Sequence, residues 1–530
     1  MKKITLSLIC ITCWLTLAAQ PYSQFATPRT LEAAGYPAHV DLRWDNQKKF
    51  TYEIFASKDG GKKFVKRAET AQSYYYDFVE DFVGKAPAKL VYRVVPKGMP
   101  VSSKDAGKFE VKVATVERTD DALLDLVQQY TTRYFTDFAY PGCNLARERS
   151  NDTREVVTTG GTGFGVMALV AAAERGYITR EQSTGYISGI VEFLDKVERF
   201  HGVWAHWYDA ISGQPFSFSK YDDGGDLVET AFLVQGLLTA RQYFKNGSAA
   251  ERKLCNRITK MWEEVEWSWY TQGTDSLYWH WSKNHGWKMN HRIKGYDETL
   301  ITYILAAASP THPIAPSVYH SCYPASTYFK NGKEYLGIKL SLGMDYGGPL
   351  FFCHYSFLGL DPRGLNDSYA DYFERNRAHT LIHRAYAVAN PYRHKGYGAS
   401  FWGFTSSDDA LTEYSSHHPN TEADNGTVSP TAALSSLPYA PQECMEVVRN
   451  LYYNMGASTL GPYGFYDAVN LNLPQGQQVV RTNLAIDQGP IAVMVENYRS
   501  GLLWKLFMQN PEVHEGLKSL GFYYKEDSLR

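Results

Sequence analysis

The run Tyr221-Asp-Asp-Gly-Gly-Asp-Leu-Val-Glu229 sets four carboxylates within nine residues. Asp222, Asp226 and Glu229 are spaced by four and three, which in an unbroken helix would give them a common face. Gly224-Gly225 argues against an unbroken helix. The run reads better as a loop ending in an N-cap at Asp226, with Glu229 at N3 as in a capping box. Capping accounts for Asp226 and Glu229 but leaves Asp222 and Asp223 unused. Comparable helix starts recur downstream. Lys294-Gly-Tyr-Asp-Glu-Thr299 offers Asp297 as an N-cap and Glu298 in the first turn, and Ile486-Asp-Gln-Gly-Pro490 offers Asp487. Two carboxyl groups flanking a glycosidic bond suffice to hydrolyse it. One protonates the leaving oxygen while the other activates water or attacks the sugar carbon. A helix N-terminus favours the ionised carboxylate, so an acid placed there needs apolar burial or a neighbouring like charge to keep its proton. The crowding between Asp222 and Glu229 supplies like charge.

The aromatic residues carry a second signal. The chain has 39 tyrosines and 12 tryptophans, and many adjoin Gly, Asp, Asn or His rather than lying in apolar runs. Trp204-Ala-His206-Trp207-Tyr208, Trp279-His280-Trp281 and Phe401-Trp402 are the clearest clusters. Flat apolar faces with polar rims suit sugars, whose C–H faces stack while their hydroxyls take hydrogen bonds. Any one of these side chains reads equally well as core filling. His206 and His280 read as sugar-contacting donors or as buried structural histidines. Candidate substrate contacts are therefore Trp204, His206, Trp207, Trp279 and Trp281, joined by His291, Tyr296, Phe401, Trp402 and Tyr466.

Other chemistries lack their signatures. Net charge is −2 and no basic stripe appears, which argues against a nucleic-acid partner. Gly163-Phe-Gly165-Val-Met-Ala168 fits a dinucleotide pattern loosely but has no parallel βαβ context, so its glycines read as close-packing positions. No GxSxG elbow occurs, and His206, His280 and His291 lack HExxH spacing. Cys143, Cys255, Cys322, Cys353 and Cys444 are widely spaced without a CxxC pair; one disulfide is left open. No metal and no cofactor is expected, and the chain is expected to be a monomer. A non-catalytic glycan-binding protein would need aromatics and amides more than crowded acids. A lyase acting on acidic sugars would call for an Arg/Lys lining that is not apparent.

These groups must be positioned by folded elements, and the chain reads as three segments. Residues 1–20 form a signal peptide: Lys2-Lys3, an apolar core from Ile4 to Leu17, then Ala18-Ala19. Cys10 and Cys13 lack the small preceding residues that suit lipid attachment. An exported, periplasmic protein without a membrane span is expected. From 25 to 116, short alternating runs (His39–Trp44, Phe50–Phe55, Leu90–Val95) with turns between them predict a small β-sandwich. From 118 to 530 the period is helical. Loops that are glycine-rich or acidic lead six times into apolar helices, at Thr159–Gly165, Asp222–Asp226, Gly295–Glu298, Tyr346–Pro349, Asn425–Pro430 and Ile486–Pro490. More polar helices lie between, at Asp120–Asp137, Arg180–Arg199, Ala249–Glu266, Asp367–Ala387 and Pro441–Asn454. The stretch between Leu305 and Tyr346 reads mostly as loop. The fold class is mainly α: six inner helices alternating with outer ones, an (α/α)6 barrel, behind a β-sandwich.

Taken together, Thr162-Gly-Phe-Gly165, Tyr221–Thr230, Gly295-Tyr-Asp-Glu298 and Ala485-Ile-Asp-Gln-Gly489 resemble the bacterial glucoamylase-like proteins, which include glycoside hydrolase family 144, the β-1,2-glucanases. The N-terminal segment resembles a fibronectin type III (Ig-like) domain. The resemblance implies an (α/α)6 barrel that cleaves linear β-1,2-glucan without a metal, by endo action or by exo release of sophorose, with inversion. It implies a site containing Asp222, Asp226, Glu229, Glu298 and, less directly, Asp487, with Glu298 and Glu229 as the preferred pair. Hydrolysis of another glycan, such as an α-glucan, remains the alternative on the same fold.

Overall fold

β-Branched and aromatic residues in short runs separated by turn residues form strands at the start of the chain, and apolar stretches at helical period follow. The structure is a computed structural model. It describes residues 30–525 apart from 46–49, 103, 105 and 421, so the expected leader at 1–20 lies outside the described residues. The chain divides into two compact units, one ending at Ala122 and one running from Leu123.

The first unit holds two antiparallel sheets. Leu31–Gly35, His39–Trp44 and Tyr74–Phe78 pair in that order. Val65–Thr70, Tyr52–Ser57, Lys89–Pro96 and Glu110–Ala114 make the second sheet. Val40 and Leu42 from one sheet share a core with Ile54, Tyr92 and Val94 from the other. Tyr52–Ser57 alternates as expected, whereas His39–Trp44 is buried on both faces. There the His39 ring stacks on Tyr36 and Phe78, and Arg43 pairs with Asp41.

In the second unit, the helices Thr159–Arg175, Leu227–Phe244, Leu300–Ala308 and Ala485–Arg499 are buried along most of their length. Thr159–Arg175 packs between Leu227–Phe244 and Ala485–Arg499; Leu227–Phe244 also meets Leu300–Ala308. The glycines of Thr159–Gly165 lie inside the helix rather than before it. They set the close approach: a Cβ on Gly163 would fall 2.4 Å from the Phe232 carbonyl, and one on Gly236 would fall 2.1 Å from the Gly163 carbonyl. The more polar helices Arg180–Leu194 and Ala249–Glu263 start at full capping boxes, Thr179 with Gln182 and Ser248 with Glu251. They pack against each other and against the buried helices.

Two of the six expected apolar helices are much reduced. After Pro349 the chain makes two 3-10 turns, Leu350–Cys353 and Tyr355–Phe357. Side chains from neighbouring segments take carbonyls that a helix would use: Tyr439 binds Cys353 O, Gln235 binds Tyr355 O and Trp504 binds Phe357 O. Tertiary partners thus override local helical preference. The fifth helix is only Pro430–Leu434, with Pro at its start. Between Leu305 and Tyr346 there is one short helix, Pro316–Cys322, as the mostly-loop reading expects. All five cysteines named above are free and buried. No helix among the described residues is long and apolar enough to cross a membrane.

Candidate active site

Asp226 ends a two-residue ribbon, Gly225–Asp226 paired with His280–Trp281, and caps the helix Leu227–Phe244. Its Oδ1 accepts from the Val228 and Glu229 amides at 3.0 and 2.9 Å. The reciprocal half of the expected capping box is not made, because the Asp226 amide donates to the Trp204 carbonyl at 2.8 Å. Glu229 is therefore released from capping, and its Oε2 accepts from the Gly160 amide at 2.7 Å. A side chain at Gly160 would place its Cβ 2.3 Å from that oxygen, so the contact requires glycine.

His206 donates through Nδ1 to Asp226 Oδ2 at 3.1 Å. Burial works against its charge, yet Glu229, Asp226 and Glu148 around it raise its pKa to about 10. The imidazolium in turn helps to hold Asp226 below the usual carboxylate range despite burial, aided by the Glu229 amide and the Trp279 side chain. Burial raises Asp222 to about 7, with Asp226 and Asp223 adding to the effect against His206. Burial raises Glu229 to about 7 as well; His206 opposes it, while Asp226 and Glu148 reinforce it. Asp223 lies to the side, bound by Ser282 and Asn284.

Glu298 precedes its helix rather than lying in the first turn, because Asp297 turns back to accept from the Thr299 amide at 3.0 Å and the helix begins at Leu300. Burial holds the Glu298 carboxyl well above its usual pKa, and Asp297, Glu229 and Asp226 push it in the same direction. Glu298 and Glu229 thus share one electrostatic basin, although 68 residues separate them in sequence.

A second acidic centre adjoins. Asp487 occupies N3 of Ala485–Arg499, as Glu229 does in its own helix. It pairs with Asp467, and both are raised, chiefly by burial: Asp467 to about 7 and Asp487 well above its usual range. Asp467 Oδ1 and Asp487 Oδ2 are buried without a hydrogen-bond partner, an arrangement of like charges that favours the protonated form of one of them. Asp408 accompanies them, its amide donating to Asp467 Oδ2 at 2.6 Å and its carboxylate paired with Arg149 at 2.7 Å. Burial raises the phenol of Tyr355, and Asp487, Tyr414, Glu298 and Glu229 push it in the same direction, so charges of both centres act on this one side chain. His206, Asp222 and Asp226 each offer one ligand atom within 4.8 Å of the others, so this trio could hold a cation. Two of the trio are already joined by the hydrogen bond from His206 Nδ1 to Asp226 Oδ2.

Carboxyls raised by burial beside one held below its usual range, gathered near helix starts, are what acid/base cleavage of a glycosidic bond requires. Comparison with known proteins agrees. The family model described as "Putative glucoamylase" matches residues 290–511. The exo β-1,2-glucooligosaccharide sophorohydrolase (non-reducing end) of Parabacteroides distasonis is 39% identical over 94% of this chain and 71% of its own. The chain belongs to the glucoamylase-like glycoside hydrolases of family 144. The crystal structure of a β-1,2-glucanase from Parabacteroides distasonis is 38% identical, with a TM-score of 0.83 over 93% of this chain and 74% of that one. The endo-β-1,2-glucanase of Chitinophaga pinensis, solved with sophorotriose and glucose, is 49% identical, with a TM-score of 0.74 over 76% of this chain and 99% of that one.

The aromatic candidates of this hydrolase divide into two groups. Trp207 donates its indole N–H to Glu148 at 3.0 Å and adjoins His206 and the exposed Phe218. Trp279 reaches Asp226 and lies beside the exposed His291. Trp207, His206, Trp279 and His291 border the carboxylates. Trp204, Phe401 and Trp402, expected to contact sugar, lie in the core instead. Their placement follows from satisfied indoles: Trp204 Nε1 binds Leu194 O and Trp402 Nε1 binds Ala399 O. Tyr296 is buried too, its hydroxyl on Asn376 and its ring under Arg375. His280 is buried and accepts from the Gly224 amide, so it is a structural histidine. Trp281 turns toward Phe200, His201 and Trp269. Half-buried Tyr466 lies beside Gly461 and Arg481.

Sequence reasoning missed Asp467, Asp408, Arg149, Glu148, Tyr355 and the role of Gly160. Asp467 and Glu148 sit in loops without the helix-start pattern that marked the other acids. The Gly160 amide contact depends on a residue 69 positions away.

Proposed function

We propose that the chain hydrolyses linear β-1,2-glucan with inversion, Glu298 donating the proton to the leaving oxygen and Glu229 drawing a proton from the attacking water. The observation that carries the reading is Glu298, held protonated by burial and by the neighbouring charges of Asp297, Glu229 and Asp226. Glu229 has the complementary environment: an amide donor at Gly160 and the His206 imidazolium keep an ionised form accessible near neutrality. Asp222 and Asp226 then tune charge around the pair, and Trp207, Trp279, His206 and His291 frame the sugar. The similarity to a sophorohydrolase and to endo-β-1,2-glucanases supports the β-1,2 linkage. Asp487 is the second candidate for the water-activating group, favoured by its otherwise unpartnered oxygen facing Asp467. The successive contacts of the buried helices support the (α/α)6 barrel. The two-sheet first unit supports the fibronectin type III-like domain. Export to the periplasm and a monomeric state complete the proposal.

Incubation with linear β-1,2-glucan and with starch tests it. Cleavage of the first alone is expected; sophorose from the outset marks exo action and a ladder of oligosaccharides marks endo action. Starch cleavage without glucan cleavage overturns the linkage. Glu229→Gln should abolish turnover; a near-normal rate in that variant, with loss in Asp487→Asn, transfers the base role to Asp487.

A further inference from the structure

The ribbon that carries Asp226 has a second side. His280 faces Gly224 and Asp222, while its neighbour Trp281 turns into an aromatic cluster with Phe200, His201 and Trp269. Beyond Trp281 lies a cavity of about 530 Å³ lined in part by Glu266, Trp269, Gln272, Trp287 and His312. None of the catalytic candidates lines it. Trp269 is 41% exposed, an unusual cost for an indole that has no catalytic duty. One of its faces is stacked on His201 at 3.8 Å, which fixes the ring, and Trp287 stands 6.3 Å away at a tilt of 34°. His201 itself adopts a left-handed φ of 53° and is tied to Glu266 at 2.9 Å. The platform is therefore held in place before any ligand arrives.

The polar groups around the indoles are unspent. Among the described residues, the Trp269 and Trp287 indole N–H groups, the Gln272 side-chain amide and the His312 ring make no hydrogen bond. No Lys or Arg lines the cavity, and Glu266 is paired with His201. Fixed indole faces, free neutral donors and acceptors, and a single carboxylate already hydrogen-bonded to His201 match a neutral sugar ring. They match neither an anionic ligand nor a peptide helix.

We infer that this cavity is a second, non-catalytic binding site for neutral glucan. It takes a stretch of the same polymer on the far side of the ribbon from the carboxylates. The identity of the polymer rests on the proposed β-1,2-glucan substrate; the site itself does not. The site holds long chains near the cleft and is idle for substrates of two or three units.

The test uses the full chain carrying Glu298→Gln, which stops turnover, with and without Trp269→Ala and Trp287→Ala. Mobility is followed in native gels cast with linear β-1,2-glucan or with starch. The added pair should weaken retention by β-1,2-glucan about ten-fold, with sophorotriose affinity unchanged. In the active enzyme the same pair should raise KM for polymer and leave sophorotriose turnover intact. Equal retention with and without the indoles overturns the inference. So does retention by starch alone in a wild-type enzyme that cleaves β-1,2-glucan. Failure of the wild-type enzyme to cleave β-1,2-glucan refutes the substrate reading instead, and retention by another neutral glucan would then keep the second site. Melting temperatures of the variants separate lost binding from lost folding.

Discussion

At the scale of single residues, Glu298 and Gly160 are the sharpest tests. Glu298→Gln removes the proton donor while keeping shape and neutral charge, so turnover should fall about 10³-fold with melting unchanged or raised. Retained turnover removes Glu298 from the mechanism. Gly160→Ala places a Cβ 2.3 Å from Glu229 Oε2. Displacing that carboxylate by a fraction of an ångström to an ångström should lower kcat about 10²-fold with little change in binding. In wild type, kcat/KM should rise through pH of about 7 as Glu229 ionises and fall at higher pH as Glu298 gives up its proton. An acid limb unmoved in residual Glu229→Gln activity would assign that limb elsewhere. Residues of this kind were partly legible. Asp222, Asp226 and Glu229 announce themselves by crowding, and Asp226 by its cap. That Glu229 leaves the capping box was not legible, since the decision is made by the Gly160 amide and the Trp204 carbonyl, which local spacing does not encode.

At the scale of elements, the approach of Thr159–Arg175 to Leu227–Phe244 brings the Gly160 amide to Glu229. Gly163 and Gly236 meet there backbone to backbone. Gly163→Ala or Gly236→Ala should destabilise the fold by about 2 kcal/mol through overpacking and should also lower kcat, because the helices must part. Urea unfolding and steady-state kinetics on the same samples check both. A stable variant with reduced kcat would assign the effect to position alone; an unchanged variant would show that the contact is not required. The close-packing role of Gly163 was legible from Gly163-Phe-Gly165-Val-Met-Ala168; that of Gly236, inside a plain apolar helix, was not. The replacement of the fourth helix by two 3-10 turns was not, because Tyr439, Gln235 and Trp504 take its carbonyls from distant parts of the chain. The burial of Trp204, Phe401 and Trp402 was hidden for the same reason: an aromatic beside polar residues looks alike whether its N–H meets a sugar or a carbonyl.

At the scale of the whole molecule, the acidic basin imposes a pH dependence on stability that can be signed in advance. Glu229, Asp222 and Asp467 have folded pKa values raised to about 7 by burial. Each contributes stability that is full below its ordinary pKa and is lost as pH rises toward 7. His206, raised to about 10 by the carboxylates around it, contributes stability that is full below its ordinary pKa and is lost as pH rises through 10. Buried His354, lowered to about 3, and the similarly lowered His379 and His383 act in the opposite sense. Their neutral burial penalises acid conditions and ceases to matter once their ordinary pKa of about 6.5 is passed. The opposing terms offset each other below that point, and above it only loss remains. The melting temperature should therefore decline from about pH 6.5 toward 10, and the decline between pH 7 and 10 should shrink in His206→Gln. Glu229→Gln should flatten the part below pH 7 instead. A His206→Gln decline as steep as that of wild type would show that the imidazolium does not hold the basin together. The site's excess of negative charge would then have to be balanced by protons on Glu298 and on the Asp467–Asp487 pair.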